Sequence, residues 1–311
     1  MSASGHDHAG HDHAGHGHGP RRYDRAFAVG ISLNLAFVVT EVIFGVRSHS
    51  LALTADAGHN FGDVLGLILA WGATMLARRK PTARHTYGLR RFSILAALGN
   101  ACLLLIAVGA IALEAIRRIN NTEPVASKTV LIVALVGIVI NVGTALGFVA
   151  GRDNDVNIRG AFLHMLGDAA ASAGVVVAAL AIGATGWFWL DPVVSLILIA
   201  LITVGSWGLL RDSFNLAIDA VPPGIDLDAV ETYLRSLPGV TEVHDLHVWG
   251  LSTTSVALTA HLVIPSPVET DALIGTTCTE LLKRFRIEHA TLQIEHGSPA
   301  HPCGLAPAGV V

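Results

Sequence analysis

Charge is scarce in this chain. Asp, Glu, Lys and Arg make up 14% of its 311 residues, against roughly 25% in a soluble domain. Between Arg91 and Glu114 there is none, so no solvated face runs along that stretch. Aromatic residues are only 6%, and the 52% hydrophobic content rests mainly on Ala, Leu, Val and Ile, as in helices that pack closely within a membrane. Cysteine is rarer still. Cys102, Cys278 and Cys303 show neither zinc-knuckle spacing nor a disulfide framework. A net charge of -4 gives no footprint for nucleic acid. HExxH, P-loop and nucleophile-elbow patterns are all missing, which argues against a metalloprotease, an ATP-driven pump and a serine hydrolase. The polar opening and a first apolar run long enough to span do not suit a cleavable signal peptide.

Long apolar runs are what the chain does have. Six hydrophobic segments lie at 27–46, 52–77, 92–114, 128–150, 159–184 and 188–210. Each has the twenty or so residues that a hydrocarbon core of about 30 Å requires. Turns are expected at Asn120–Pro124, at Asp153–Asn157 and around Gly183, Gly186 and Asp191–Pro192. Lys and Arg crowd alternate links. Arg21, Arg22 and Arg25 precede the first segment; Arg78, Arg79, Lys80, Arg84, Arg90 and Arg91 fill the second link; Arg152, Arg159 and Arg211 follow on the same side. The positive-inside rule then places both termini in the cytosol of a multi-pass cell-membrane protein.

The ends read differently. Residues 1–25 carry His6, His8, His11, His13, His16 and His18 among Gly and Asp. Such a segment is expected to be disordered and to bind borderline metals, as a buffer or delivery arm. After Gly224 charged residues return at ordinary density. Helical spacing over Asp226–Leu237 and Glu269–Phe285, with strand alternation over Val240–Trp249, Ser255–Ile264 and Ala290–Glu295, predicts helix–strand–strand–helix–strand. That order suits a small ferredoxin-like domain without its first strand. The expected organisation is a tail (1–25), an all-α bundle of six transmembrane helices (26–211), a cytosolic α+β ferredoxin-like domain (212–297) and a disordered tail (298–311).

Two spans carry the chemistry. His59 and Asp63 stand four residues apart in the second, and His164 and Asp168 four apart in the fifth. Positions i and i+4 share one helix face, roughly 6 Å apart. One such pair from each helix makes two imidazoles and two carboxylates, a tetrahedral set that suits Zn2+. Ionisable groups deep in a span are costly and mark ion pathways. Facing carboxylates would repel and take up protons, and a divalent cation removes that cost. Metal and proton then compete for one site, which is the chemistry of antiport. Asp56 is either a supporting or a structural residue. Asn34 and Glu41 in the first span share neither pattern, and Glu114 and Asp191, near segment ends, suit interface anchoring. In the soluble part His244 and His261 can face each other if their strands pair. Asp245 and His247 have the opposite phase to His244, so all three share a face only if the strand is bulged.

With these residues in place, the chain resembles a cation diffusion facilitator of the zinc-transporting branch. The likeness rests on Ser50–Leu53, Asp56–His59 with Asp63, Tyr87–Gly88 with Arg90–Phe92, His164 with Asp168, Asp191–Pro192 and Val243–Trp249. It implies a homodimer with six spans and a cytosolic metallochaperone-like domain, exchanging a divalent metal for protons. It implies a transport site of His59, Asp63, His164 and Asp168, with His at the first position favouring zinc over cadmium. It also implies a regulatory Zn2+ in the cytosolic domain, held by His244, His261 and the last strand near Gln293 and Glu295. A loop site between the second and third spans would have only His85, without neighbouring carboxylates, and is not expected.

The function expected is export of Zn2+ by metal/proton antiport, with Cd2+ and Co2+ as further candidates, and no enzymatic activity. The alternative is a membrane-anchored zinc sensor, in which Asp63 and Asp168 would be dispensable. A zinc hydrolase wants three ligands and an open position, whereas four ligands fill the tetrahedron.

Overall fold

The computed structural model describes residues 21–77, 79–149, 156–266, 269–297 and 303–305. The His-rich segment, residues 153–155 of the expected 153–157 turn, and most of the C-terminal tail lie outside these. Six long helices come first: α1 (Arg21–Arg47), α2 (Leu51–Ala77), α3 (Phe92–Asn120), α4 (Ser127–Phe148), α5 (Val156–Thr185) and α6 (Leu190–Ala217). Then follow α7 (Leu227–Arg235), β1 (Glu242–Gly250), β2 (Val256–Val263), α8 (Thr270–Phe285) and β3 (His289–Glu295). The first helix starts at Arg21, within the stretch expected to lack structure.

Among the described residues, five helices, α2 to α6, are long and apolar enough to cross a membrane. Ile106, Val139, Val177 and Val204 point outward along them, exposed. This is the surface a lipid-facing helix needs, since a lipid tail is as apolar as leucine. The protein is therefore a multi-pass membrane protein.

Close approach between the helices depends on small residues. Phe37 of α1 meets Val130, Val133 and Ala134 of α4, with Val175 and Ala179 of α5, in one core. A Cβ on Gly137 would sit 2.6 Å from the Phe37 ring, so only glycine lets α4 come this near. A Cβ on Gly62 would likewise meet Leu104 of α3 at 2.9 Å.

Asp191 departs from the expected interface anchor. Its side chain is buried at the start of α6. It accepts hydrogen bonds from Ser50 Oγ (2.6 Å), Leu51 N (2.7 Å) and Ala52 N (3.4 Å). The carboxylate thus caps the N-terminus of α2, where orphan N–H groups and the helix dipole favour negative charge. Glu114 does lie near a helix end, paired with Arg118 at 2.9 Å and Arg117 at 3.9 Å.

The C-terminal part is a three-stranded sheet in the order β1-β2-β3 with two helices. β1 and β2 are antiparallel, β2 and β3 parallel, and α8 makes the crossover that a parallel pair requires. Val230 and Leu234 of α7 and Leu281 of α8 bury against Val243, Val248, Leu258 and Leu262 of the sheet. Asp226 caps α7, its carboxylate accepting from Ala229 N at 3.1 Å. The register pairs His244 with His261, then shifts before His247. Asp245 in that bulge has a φ of 49°. Thr253 N donates to Ser93 Oγ of α3 at 3.1 Å, and Arg91, just before α3, pairs with Asp219, just after α6.

Candidate metal centres

The helical pairs converge as the four-residue spacing requires. His59 Nε2 lies 3.7 Å from Asp63 Oδ2 on its own helix and 3.4 Å from Asp168 Oδ1 on α5. His164 Nε2 lies 3.7 Å from Asp168 Oδ2 and 3.1 Å from Asp63 Oδ2. Each imidazole is therefore closer to the carboxylate of the other helix than to its own. The groups alternate His–Asp–His–Asp around a small square, with the two rings 5.9 Å apart and edge to face. Asp168 is buried, His59 and Asp63 partly so, and His164 faces outward with a side chain 42% exposed. His59, Asp63 and Asp168 bring ligand atoms within 4.8 Å of one another. His164 reaches the set through Asp63.

Behind this square sits a second polar layer, of which the sequence offered Asp56 as a supporting or structural residue but not its partners. Glu41 of α1 is wholly buried, and its Oε2 accepts from Asn60 Nδ2 at 2.9 Å. Its Oε1 has no hydrogen-bond donor. Asp56, also buried, accepts from Ser172 Oγ of α5 at 3.0 Å and lies within hydrogen-bonding reach of Glu41. Asp56 thus joins α2 to α5 one turn from the square, and the polar layer positions the two helices that carry it. The only sequence signal for Glu41 is a lone acid in an apolar run.

The sheet assembles a second group. His244 and His261 pair across β1 and β2, rings 5.2 Å apart. Glu295 on β3 places Oε1 2.9 Å from His261 Nδ1 and Oε2 3.5 Å from His244 Nε2. Cys303 puts Sγ 3.5 Å from His261 Nδ1. His244, His261, Glu295 and Cys303 all offer ligand atoms within 4.8 Å of one another. The His244 ring is 7% exposed, and neither of its nitrogens has a hydrogen-bond partner. A buried imidazole so placed is costly unless something else satisfies it. Burial would raise the Glu295 carboxyl. The hydrogen bonds from Gln293 and Cys303 and the nearby His244 and His261 outweigh it, holding the group below its ordinary value. The carboxylate is thus favoured, the form that binds cations.

The bulge solves the phase problem of β1. Asp245 turns its Oδ2 to within 3.4 Å of His261 Nε2, and its Oδ1 lies 2.9 Å from His247 Nε2. His247 so serves Asp245 rather than the His244 cluster. His296 is engaged with the Ile264 carbonyl at 3.0 Å, and His289 stacks edge-on against Tyr87. His85 sits in an exposed turn with Thr82. Cys303 is the member of this cluster that sequence reading passed over, because it stands alone in a stretch without periodic pattern.

Known proteins match both parts of the chain. The description "Cation efflux transmembrane domain" fits residues 27–216, and "Cation efflux protein, cytoplasmic domain" fits residues 222–297. The zinc transporter ZitB of Pectobacterium atrosepticum is 36% identical over 266 residues, covering 85% of this chain and 83% of that protein. The metal cation efflux system protein CzcD of Cupriavidus metallidurans is 33% identical over 290 residues, covering 93% and 90%. A cadmium, cobalt and zinc/H(+)-K(+) antiporter of Bacillus subtilis is 32% identical over 274 residues, covering 85% and 86%. With matched regions that span the helical bundle and the sheet domain, and relatives that align over most of their length, the chain belongs to the cation diffusion facilitator family of cation efflux proteins, on the branch that holds the ZitB and CzcD transporters.

Proposed function

We propose that this protein exports Zn2+ from the cytosol in exchange for protons, and that His59, Asp63, His164 and Asp168 bind the ion in transit. The observation that carries the reading is the alternating square of imidazoles and carboxylates between α2 and α5. Two Asp carboxylates and two neutral His balance a 2+ ion, and their N2O2 set suits tetrahedral zinc. Among divalent metals the same set admits Cd2+ and Co2+. When the ion leaves, the paired carboxylates repel, and protons returning to the four groups relieve this. Metal and protons therefore compete for the same atoms. A site opened alternately to each side then couples their opposite flows. The name of the Bacillus subtilis relative, an antiporter of zinc against protons and potassium, supports the coupling.

In this reading α1 joins α2 to α6 as a sixth span, and both termini lie in the cytosol with the Arg-rich links. The sheet domain, ferredoxin-like without its first strand, is the cytosolic unit of a homodimer. His244, His261 and Glu295 hold a regulatory Zn2+ there, and Asp245 orients His261.

The test is zinc flux in sealed proteoliposomes under an imposed pH gradient, with zinc and proton dyes read together. Wild type should move zinc against protons, and Asp63→Ala and Asp168→Ala should lose both movements while remaining folded. Zinc movement without proton movement would discard the coupling. Full activity in either variant would remove the site, and no flux in properly folded wild type would favour the membrane-anchored sensor.

A further inference from the structure

We propose that Cys303 is the fourth ligand of the sheet-domain metal site, so that metal binding clasps the C-terminal segment onto the sheet. The inference rests on the reading of His244, His261 and Glu295 as a metal site and adds to it a thiolate from outside the sheet.

The geometry argues for it in three ways. First, the three sheet residues leave a tetrahedron one ligand short. With zinc–nitrogen bonds of roughly 2.0–2.1 Å and zinc–sulfur bonds of roughly 2.3 Å, neighbouring ligand atoms stand roughly 3.3–3.8 Å apart. Cys303 Sγ to His261 Nδ1 is 3.5 Å, and Glu295 Oε2 to His244 Nε2 is 3.5 Å. The 2.9 Å between His261 Nδ1 and Glu295 Oε1 needs only a small opening. Second, the buried ring of His244 has no hydrogen-bond partner at either nitrogen. Glu242 Oε1 lies 3.6 Å from its Nδ1 and Glu295 Oε2 3.5 Å from its Nε2, both beyond a good hydrogen bond, and an ion between Nε2 and Glu295 would satisfy the ring. Third, the His261 nitrogen that faces Cys303 and Glu295 is Nδ1, while Asp245 stands at Nε2. A carboxylate at Nε2 holds the proton there and leaves the Nδ1 lone pair directed at the shared centre.

The chain also turns where a clasp requires it. Just after β3, Gly297 has a φ of 66°, a conformation that L side chains rarely adopt, and a Cβ there would meet Val263 at 3.2 Å. On binding, the thiol proton passes to water and a metal–sulfur bond forms. A set of one sulfur, two nitrogens and one oxygen suits Zn2+, Co2+ and Cd2+, and is softer than the all-nitrogen-and-oxygen square between α2 and α5. A bound metal would then add a bond that holds Cys303, already 3.5 Å from His261, against the sheet.

The test uses the full chain with Cys102→Ser and Cys278→Ser, which leaves Cys303 as its one thiol. Co2+ should give visible d–d bands and a near-ultraviolet thiolate-to-cobalt charge-transfer band. Zn2+ should protect Cys303 from N-ethylmaleimide. Cys303→Ser should lose the charge-transfer band and keep d–d bands that depend on His244 and His261. His261→Ala should lose the Zn2+ protection. Cobalt bands that depend on His244 and His261 but carry no charge-transfer band, with Cys303 still reactive under Zn2+, would overturn the fourth ligand and leave the site standing. The absence of any cobalt signal dependent on His244 and His261 would overturn the site and the clasp together.

Discussion

Asp245 Oδ2 lies 3.4 Å from His261 Nε2, on the edge of the ring away from Glu295. The residue reaches that place because β1 bulges and Asp245 takes a left-handed φ of 49°. A non-glycine residue there is strained, and such strain persists where surrounding structure over-determines it. Removing the carboxylate should therefore weaken metal binding without unfolding the sheet. Loss of an outer-shell partner typically costs 10–100-fold, taken here as roughly that range. The measurement is Zn2+ competition with a chromophoric chelator, in chain that also carries Asp63→Asn, Asp168→Asn and alanine at His6, His8, His11, His13, His16 and His18, so that the sheet domain is the binder read. Asp245→Asn should show the loss. Asp245→Gly should show it too while easing the backbone, since glycine accepts positive φ freely. Unchanged affinity in both variants would mean that Asp245 shapes the bulge and nothing more.

The choice of metal should be set in part by His59. Its imidazole meets Asp168 of the opposite helix at 3.4 Å and Asp63 of its own at 3.7 Å. Replacing it with a carboxylate makes a harder site that discriminates less against larger ions. His59→Asp is expected to raise Cd2+ flux relative to Zn2+ flux in proteoliposomes. A ratio equal to the parent's would place selectivity outside the square.

How far these features could be read from sequence depends on their geometry. The pairs His59–Asp63 and His164–Asp168 were legible because a helix brings positions four apart to one face. That α2 and α5 face each other was expected only from the likeness of the two pairs, since spacing within one helix says nothing of its neighbour; the contact that joins them, Ser172 to Asp56, lies 116 positions apart in the chain. The elements of the sheet domain followed from alternation and helical spacing, within a residue or two at their ends. For Asp245 strict alternation gave the other face unless the strand bulged, and the bulge, which no residue pattern announced, brings it to His261. Asp191 read as an interface residue because its partners Ser50 and Leu51 lie 141 and 140 positions away in the chain. Cys303 carried no pattern, and what identifies it is a spatial neighbour, His261.

Asp191 leads to a stability prediction. Its carboxylate holds Ser50 Oγ and two backbone N–H groups at the start of α2. All three lie away from solvent, so truncation leaves donors unpaired as well as removing a cap. Cap loss costs about 0.5–2 kcal/mol and each buried unsatisfied group about 1–3 kcal/mol. Asp191→Ala should lower the thermal unfolding midpoint in detergent clearly, whereas Asp191→Asn, which keeps one acceptor, should lower it less. Equal midpoints for the parent and the Ala variant would show that α2 does not rely on this cap.

Glu41 provides a sharper contrast, because two substitutions of it should act in opposite senses. Its buried carboxyl lies within reach of the Asp56 carboxyl, while Asn60 donates to its Oε2 at 2.9 Å and nothing donates to or from its Oε1. Two carboxylates in contact in an apolar bundle repel unless one holds a proton. A glutamine keeps the shape, accepts from Asn60, and supplies a permanent N–H donor toward Asp56. Glu41→Gln should therefore unfold at a midpoint no lower than the parent's between neutral and mildly alkaline pH. Alanine leaves Asn60 and Asp56 short of a partner and opens a cavity between α1 and α2. Its cost should be about 2–4 kcal/mol, combining cavity and unsatisfied-group effects. Thermal unfolding of the three proteins in one detergent decides the matter. A glutamine variant as damaged as the alanine variant would mean that the negative charge of Glu41, rather than a proton between two acids, holds this corner of the bundle together.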